Sequence, residues 1–218
     1  ATTVVVVVSR DVTVCAAIAA GTAPVNGCPV GGAPVADKIA AIMGVESGSS
    51  EKKVAFVKCK GTCDKTNVKY NYYGITDCSM VTVAPGSGEK ACAYGCMGYG
   101  SCVKACQFDA IHVVDGVAVV DKEKCVACGK CVATCPKGLI ELVPYKAEHL
   151  VQCSSHDKGP AVKKVAPLAV SDVLCTKQCE FDAIHMENNV AVIDYENAPT
   201  AASAQQVPGK GNPVSCGE

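Results

Sequence analysis

The stretch C-V-A-C-G-K-C-V-A-T-C-P, from Cys125 to Pro136, is the most informative part of this chain about its fold. Its cysteines follow the spacing C-x2-C-x2-C-x3-C-P, which is typical of proteins that bind [4Fe-4S] clusters. Three thiolates at this spacing surround one cluster, whereas the fourth thiolate, on the helix that follows, reaches a second cluster. The stretch therefore predicts a partner run of cysteines elsewhere in the chain.

The partner run lies upstream, between residues 92 and 106, and it is irregular. A regular run would place a cysteine at position 99, where the chain has Tyr99, and Cys92 is the nearest substitute. The crossover of the fourth thiolate then predicts two clusters. Cluster 1 is assigned to Cys92, Cys96, Cys102 and Cys135, and cluster 2 is assigned to Cys106, Cys125, Cys128 and Cys131.

Four cysteines that remain after this assignment predict a third [4Fe-4S] cluster, cluster 3. They are Cys59, Cys63, Cys78 and Cys153. Buried free thiols are the alternative, and Cys92 and Cys153 could exchange roles between cluster 3 and its neighbour. Three further cysteines would belong to cluster sites that lack some of their ligands, namely Cys28, Cys175 and Cys179. We therefore expect at least two [4Fe-4S] clusters, and three or more if the further cysteines bind iron.

The composition favours a metal-binding protein over a disulfide-rich one. The chain has 17 cysteines among 218 residues, and they are clustered at short spacing. Zinc is the alternative metal, and it would indicate a zinc-stabilised interaction module. Zinc sites, however, use two separated cysteine pairs. The net charge of -1 and the lack of a basic run argue against nucleic acid as a partner. No pattern of acid, base or nucleophile predicts catalytic residues.

A repeat runs through the second half of the chain. Cys106–Cys125 aligns without gaps with Cys179–Ala198, at an offset of 73 residues and with 11 of 20 positions identical. We therefore predict an α+β fold in which a small cluster-binding N-terminal unit precedes tandem two-[4Fe-4S] ferredoxin-like modules. The second copy retains only Cys175 and Cys179 of the eight ligands that the offset requires.

Local patterns predict individual elements. Asp115-Gly116 within Ile111–Val120 indicates a hairpin, in which Val114, Val117 and Val119 are expected in the core. Pro34–Gly44 predicts a short helix with Val35, Ile39, Ile42 and Met43 on one face. The expected units are an N-terminal domain (1–50), a Cys-rich insertion (54–84), a ferredoxin-like module (85–150), a degenerate second module (160–197) and a tail (198–218).

From Val54 to about Tyr195 the chain resembles the B subunit of the Rnf complex, a membrane-bound, ion-translocating ferredoxin:NAD+ oxidoreductase. The stretches that carry the resemblance are VKCKGTC (57–63), NYYGITDC (71–78), CAYGCMGYGSCVKAC (92–106), CVACGKCVATCP (125–136) and the repeated FDAIH. GTAPVNGCPVGG (21–32) resembles the N-terminal cluster domain of the family. That domain's C-x2-C-x4-C-x16-C pattern would require cysteines at Thr3, Val6 and Asp11. An engineered variant, a degenerate relative or incorrectly assigned terminal sequence would each explain this departure.

The resemblance implies an electron-relay subunit that takes electrons from reduced ferredoxin and passes them to other subunits of a membrane-bound redox complex. Because the anchor helix of the family is missing, we expect a peripheral protein on the cytoplasmic face of the cell membrane. A polyferredoxin subunit of a hydrogenase or heterodisulfide reductase-type complex is the alternative. Lys104, Lys130 and Lys137 lie near cluster ligands, where they either attract an acidic ferredoxin or form a solvated surface.

Overall fold

The computed structural model describes residues 12–27, 32–46, 48, 51–147, 150–165 and 183–195. These residues form short helices and short strands, so the predicted mixture of α and β structure is confirmed. The helices are α1 (Val12–Ala19), α2 (Gly32–Met43), α3 (Cys78–Val81), α4 (Ser101–Ala105), α5 (Lys130–Thr134) and α6 (Gly159–Val165), with a 3-10 turn at Pro85–Ser87. The strands are β1 (Lys53–Val57), β2 (Ile111–Val114), β3 (Val117–Val120), β4 (Ile140–Pro144), β5 (Ile184–Glu187) and β6 (Val190–Ile193).

Strands β1 and β4 pair antiparallel and join two distant parts of the chain. Val54 lies opposite Val143, and the two side chains are 0% and 1% exposed. Their apolar cluster includes Ile111 of β2 and the thiols of Cys102 and Cys125. The hydrophobic core is therefore continuous with the cysteine-bearing segments, and β1 belongs to the same sheet as the last strand of the predicted module 85–150.

The hairpin predicted from Asp115-Gly116 is confirmed. Both turn residues have positive φ angles, 47° and 76°, as a type I′ turn requires. The expected core position is confirmed for Val117 and wrong for Val114 and Val119, because valines occur on both faces of the hairpin and do not distinguish them. Ile111 and Ala118 share the face that joins the core cluster. On the opposite face Val117 is buried, but Val114 and Val119 are 51% and 50% exposed.

The second copy of the repeat forms the same hairpin. Ile184 lies opposite Ile193, just as Ile111 lies opposite Val120. Two asparagines, Asn188 and Asn189, adopt the positive φ angles of the turn. Asparagine tolerates this conformation better than most residues do, so the turn survives without glycine. The hairpin implied by the repeat is thus confirmed.

Helix α2 confirms the element predicted at Pro34–Gly44, and Gly44 follows its last residue with a φ of 67°. Ala36 and Ala40 of this helix are buried, whereas Ile42 is 83% exposed. The larger apolar side chains therefore do not mark the buried face. Within the described segments, no helix has both the length and the apolar character needed to cross a membrane.

Candidate metal centres

Four cysteines line the first pocket, which we call the cluster 2 pocket. They are Cys106, Cys125, Cys128 and Cys131, and they carry free thiols. The pocket encloses about 360 Å³ of empty space, part of it open to solvent. The rest of its lining is mostly apolar, with Phe108, Ile111 and Val120 among the contacts. The structure therefore gathers the four cysteines that the sequence assigned to cluster 2.

Backbone geometry bends the cysteine loop around this pocket. Ala127 and Gly129 have positive φ angles, 54° and 76°, which turn the chain back between Cys125 and Cys131. The amide of Ala55 on β1 donates to Sγ of Cys125 at 3.3 Å. Amide donors to sulfur favour the thiolate form, the form that binds metal.

The thiols of the cluster 2 pocket influence one another electrostatically. Burial raises the pKa of Cys131 to about 11, and the nearby thiols of Cys125, Cys128 and Cys106 contribute to the increase. Thiols gathered in one apolar pocket stay protonated until a cation compensates the charge of their thiolates. Metal binding supplies that compensation and releases the protons.

A second pocket, the cluster 1 pocket, lies between α4, α5 and the loop before β4. Its cysteines are Cys78, Cys96, Cys102 and Cys135, all with free thiols. The pocket encloses about 420 Å³, again partly open to solvent. Burial raises the pKa of Cys102 to about 12, with further increases from the thiols of Cys96, Cys78 and Cys135. The sequence assignment had Cys92 in this set, and the structure has Cys78 in that place instead.

A polar network, which the sequence reasoning missed, positions Cys78. The amide of Cys78 donates to Oγ of Ser101 at 2.8 Å, and that hydroxyl donates to Oδ2 of Asp77 at 3.0 Å. Asp77 also caps α3 by accepting from the amide of Ser79 at 2.9 Å. Because Ser101 is the first residue of α4, the network holds Cys78 beside Cys102. A serine adjacent to a ligand cysteine was the signal available in the sequence.

The remaining cysteines surround the loop that contains Gly95. A Cβ built on Gly95 would lie 3.5 Å from Sγ of Cys92 and 3.6 Å from Sγ of Cys59. The amides of Cys96 and Gly61 donate to Sγ of Cys59, at 3.3 Å and 3.4 Å. Cys92 therefore lies with Cys59 rather than in the cluster 1 pocket.

Two further cysteines adjoin this loop. Cys153 forms an antiparallel bridge with Cys59, which puts the two side chains on the same face. The amide of Cys63 donates to the carbonyl of Asp115 at 2.9 Å, so Cys63 lies at the turn of the β2–β3 hairpin. We call Cys59, Cys63, Cys92 and Cys153 the third cysteine group. The candidates Cys28, Cys175 and Cys179 lie outside the described residues.

The donors of the two pockets fit an iron–sulfur cluster, because each pocket gathers four cysteine thiols, the ligand set of a [4Fe-4S] cluster. In the described part of the chain, no three His, Cys, Asp or Glu side chains are arranged to hold a single metal ion. A [4Fe-4S] cluster makes a different demand, because each thiolate binds a different iron and the four sulfurs surround a cavity.

Lys104 and Lys137, two of the three lysines near these sites, differ in their surroundings. Lys104 is exposed, and its Nζ donates to the carbonyl of Thr76 at 3.4 Å. Lys137 is half-buried and directs its Nζ to backbone carbonyls inside the molecule. Lys104 therefore fits the predicted solvated or partner-docking position, whereas Lys137 does not.

Comparison with known proteins agrees with the chemistry of these pockets. The sequence profile of the LdpA Fe-S cluster-binding domain matches residues 101–146. This range includes six of the eight cysteines that line the two pockets, all except Cys78 and Cys96. The match supports iron–sulfur clusters as the cofactors of the chain.

Three relatives match over most of the chain. The B subunit of the Na(+)-translocating ferredoxin:NAD(+) oxidoreductase complex of Acetobacterium woodii is 48% identical over 190 residues, covering 82% of this chain and 54% of that protein. The B subunit of the ion-translocating oxidoreductase complex of Methanosarcina acetivorans is 42% identical, covering 84% and 69%. The B subunit of the proton-translocating ferredoxin:NAD(+) oxidoreductase complex of Clostridium ljungdahlii is 38% identical, covering 83% and 64%.

The chain thus spans between 54% and 69% of the length of these three relatives. The resemblance first noted in the cysteine runs is confirmed, because it extends at this level of identity through more than four fifths of the chain. With two cysteine-lined pockets in the region of the match, the chain belongs to the family of B subunits of Rnf-type ion-translocating oxidoreductase complexes.

Proposed function

We propose that this chain is an electron relay that carries three [4Fe-4S] clusters within an Rnf-type complex. The observation that supports the proposal best is the pair of apolar pockets, each lined by four free thiols. A [4Fe-4S] cluster accepts and releases single electrons without any bond to a substrate. The residues of the chain therefore need only to bind, bury and orient their clusters.

We assign Cys106, Cys125, Cys128 and Cys131 to cluster 2, as the spacing predicted. We assign Cys78, Cys96, Cys102 and Cys135 to cluster 1, because these four line one pocket and the other three raise the pKa of Cys102. Cys59, Cys63, Cys92 and Cys153 then remain for cluster 3. Compared with the sequence assignment, Cys78 and Cys92 exchange clusters.

The architecture we propose is a ferredoxin-like module with an insertion. Strand β1 pairs with β4, so the module starts near residue 53 and continues to about residue 150. The segment between β1 and the cysteine run at 92–106 is the Cys-rich insertion, and it supplies Cys59, Cys63 and Cys78. We infer that the β5–β6 hairpin marks a degenerate second module within 160–197. An N-terminal domain (1–50) precedes the ferredoxin-like module, and a tail (198–218) follows the second module.

We propose that reduced ferredoxin is the electron donor and that other subunits of the complex are the acceptors. Two relatives carry ferredoxin and NAD(+) in their names. By analogy the chain acts at the cytoplasmic face of the membrane, as part of an oxidoreductase that translocates ions. Of the three lysines predicted to attract an acidic partner, Lys104 and Lys130 remain candidates, whereas Lys137 directs its Nζ inward.

Iron and sulfide analysis tests the proposed function. After anaerobic reconstitution we expect about 12 irons per chain and EPR signals of reduced [4Fe-4S] clusters on addition of dithionite. About 8 irons would limit the protein to clusters 1 and 2, at four irons for each. Zinc without iron would reject the relay and favour the zinc-stabilised module.

Paired cysteine variants test the exchange of Cys78 and Cys92. We expect Cys78→Ala to lose the same EPR component as Cys102→Ala, because both cysteines line the cluster 1 pocket. Cys92→Ala should lose the same component as Cys59→Ala. The exchange is rejected if Cys92→Ala matches Cys102→Ala and Cys78→Ala matches Cys59→Ala.

A further inference from the structure

The ammonium group of Lys137 is enclosed by backbone carbonyls. Its Nζ donates to the carbonyls of Ser87, Ala93 and Gly95, at 2.9, 2.7 and 3.1 Å. An ammonium has three N–H donors, whereas a neutral amine has two. Three carbonyl acceptors around one Nζ therefore favour the charged ammonium form of Lys137 and fix the position of its charge.

No carboxylate among the described residues forms an ion pair with Lys137. A partly buried charge without an opposite charge is costly, because the interior does not replace the stabilisation that water provides. One of the carbonyl acceptors of Lys137, Gly95, precedes Cys96 directly and lies beside two further thiols. A Cβ built on Gly95 would lie 3.5 Å from Sγ of Cys92 and 3.6 Å from Sγ of Cys59.

These cysteines belong to two different sites. Cys92 and Cys59 are members of the third cysteine group, and Cys96 lines the cluster 1 pocket. Lys137 itself contributes to the lining of the cluster 1 pocket. The cluster 2 pocket, by contrast, is lined by a different set of residues that does not include Lys137.

We propose that Lys137 is a positioning residue that places one fixed positive charge between cluster 1 and cluster 3 and raises the reduction potentials of both. The inference rests on the proposed function, because it requires clusters in these sites. A cluster with its four thiolates is negatively charged and gains a further negative charge when it is reduced. A fixed cation nearby stabilises the reduced form more than the oxidised form, and net charge is a known determinant of cluster potentials.

The carbonyl contacts explain why this charge stays in place. Residues 87–95 lead to Cys96 and carry Cys92, while Lys137 follows Cys135 closely in the chain. The three hydrogen bonds thus join the loop that carries Cys92 to the turn after Cys135. Lys69 offers a matched control, because it donates to the carbonyl of Gly86 beside this loop, at 3.3 Å, but is exposed.

The test is a potentiometric EPR titration of the reconstituted full chain with three variants. Lys137→Gln removes the charge and keeps hydrogen-bond donors, Lys137→Arg keeps the charge, and Lys69→Met removes an exposed charge nearby. We expect Lys137→Gln to keep its iron and to lower the equilibrium constant for reduction of clusters 1 and 3 about tenfold. A tenfold change corresponds to about 59 mV for a one-electron couple.

Cluster 2 is the internal reference, identified as the component that Cys131→Ala loses. Its potential should stay unchanged in Lys137→Gln, while Lys137→Arg and Lys69→Met should resemble the wild type throughout. Unchanged potentials in an iron-replete Lys137→Gln protein would overturn the inference, as would an equal shift of all three clusters. A shift in Lys69→Met as large as that in Lys137→Gln would also overturn it.

Loss of iron has a separate meaning. If Lys137→Gln, and a further variant Lys137→Met, both fail to retain clusters that Lys137→Arg retains, Lys137 serves the assembly of the sites and the proposal is overturned. If the wild-type protein itself binds no iron, the proposed function fails before Lys137 is tested. The iron content of the wild type therefore separates the two failures.

Discussion

At the scale of single residues, the position of Cys78 shows how the set of cysteines that lines a pocket depends on side chains distant in the sequence. Cys78 reaches the cluster 1 pocket because Ser101 accepts a hydrogen bond from its amide across 23 residues. Asp77 completes the network by accepting from the Ser101 hydroxyl. Cysteine spacing contains no information about such a contact, so the spacing favoured Cys92, which is closer in sequence.

The raised thiol pKa values predict how the stability of the metal-free protein depends on pH. Burial is the main cause that raises the pKa of Cys102 to about 12 and that of Cys131 to about 11, from 9.0 in the unfolded chain. The folded state therefore binds protons that the unfolded state has released above pH 9. We expect the free energy of unfolding to fall as the pH rises from about 9 to about 11, because the unfolded state binds fewer protons in that range.

Urea unfolding of the iron-free protein at several pH values measures this effect. Iron-free Cys131→Ser is the control, since serine does not titrate there and the slope against pH should be smaller. Tyrosines such as Tyr99 and Tyr195, whose pKa values burial raises to about 12, also lower the free energy of unfolding as the pH rises, and the comparison with the control removes their contribution. A wild-type slope equal to that of Cys131→Ser would contradict the prediction.

At the scale of elements, short-range patterns and long-range pairings differ in how well they can be predicted. The β2–β3 hairpin follows from Asp115-Gly116, because the two positive φ angles are a property of those two residues. The pairing of β1 with β4 joins residues more than 80 positions apart, and it depends on Val54 and Val143 meeting in the core. The sequence therefore indicated the hairpin and left β1 grouped with the insertion.

Gly116 combines a backbone requirement with a steric one, and replacement by alanine separates them. A Cβ on Gly116 would lie 2.5 Å from Sγ of Cys63, in addition to the strain of its φ of 76°. Gly138 also has a positive φ, 61°, but a Cβ there would meet nothing within 4 Å. We expect Gly138→Ala to cost about 1 kcal/mol from backbone strain alone and Gly116→Ala to cost more than about 2 kcal/mol.

Denaturant unfolding of the two reconstituted variants measures the difference. Gly116→Ala should also displace Cys63 and lower the iron content of cluster 3, whereas Gly138→Ala should keep full iron. Equal destabilisation of the two variants with equal iron content would show that the turn does not touch the third cysteine group.

At the scale of the whole molecule, the apolar core and the cysteine pockets are one structure. Fully buried Val54, Ile111 and Val143 lie in the core, and the cluster that contains them also includes Cys102 and Cys125. Aromatic residues make up only 5% of the chain, and none in its described part is among the buried residues of this core. Metal binding is therefore expected to supply a substantial part of the folding free energy.

Removal of iron tests this dependence directly. We expect the thermal unfolding midpoint, followed by circular dichroism under anaerobic conditions, to fall by more than about 10 °C after the clusters are removed, because each lost cluster removes several bonds. A change of about 1 kcal/mol alone shifts the midpoint of a domain this size by about 2–4 °C. Reconstitution with iron and sulfide is the control and should restore the midpoint. An unchanged midpoint in protein shown to be iron-free would contradict the prediction.

Features that depend on neighbouring residues could be read from the sequence alone. The cysteine spacing from Cys125 to Pro136 predicted that Cys106 joins Cys125, Cys128 and Cys131, and the structure places these four around one pocket. The repeat at an offset of 73 residues predicted the second hairpin. The three-dimensional structure was needed to establish that Cys78 rather than Cys92 lies with Cys102, and that Lys137 points inward. Those outcomes depend on hydrogen bonds and burial between segments far apart in the chain, and spacing along the sequence does not record which distant groups will meet.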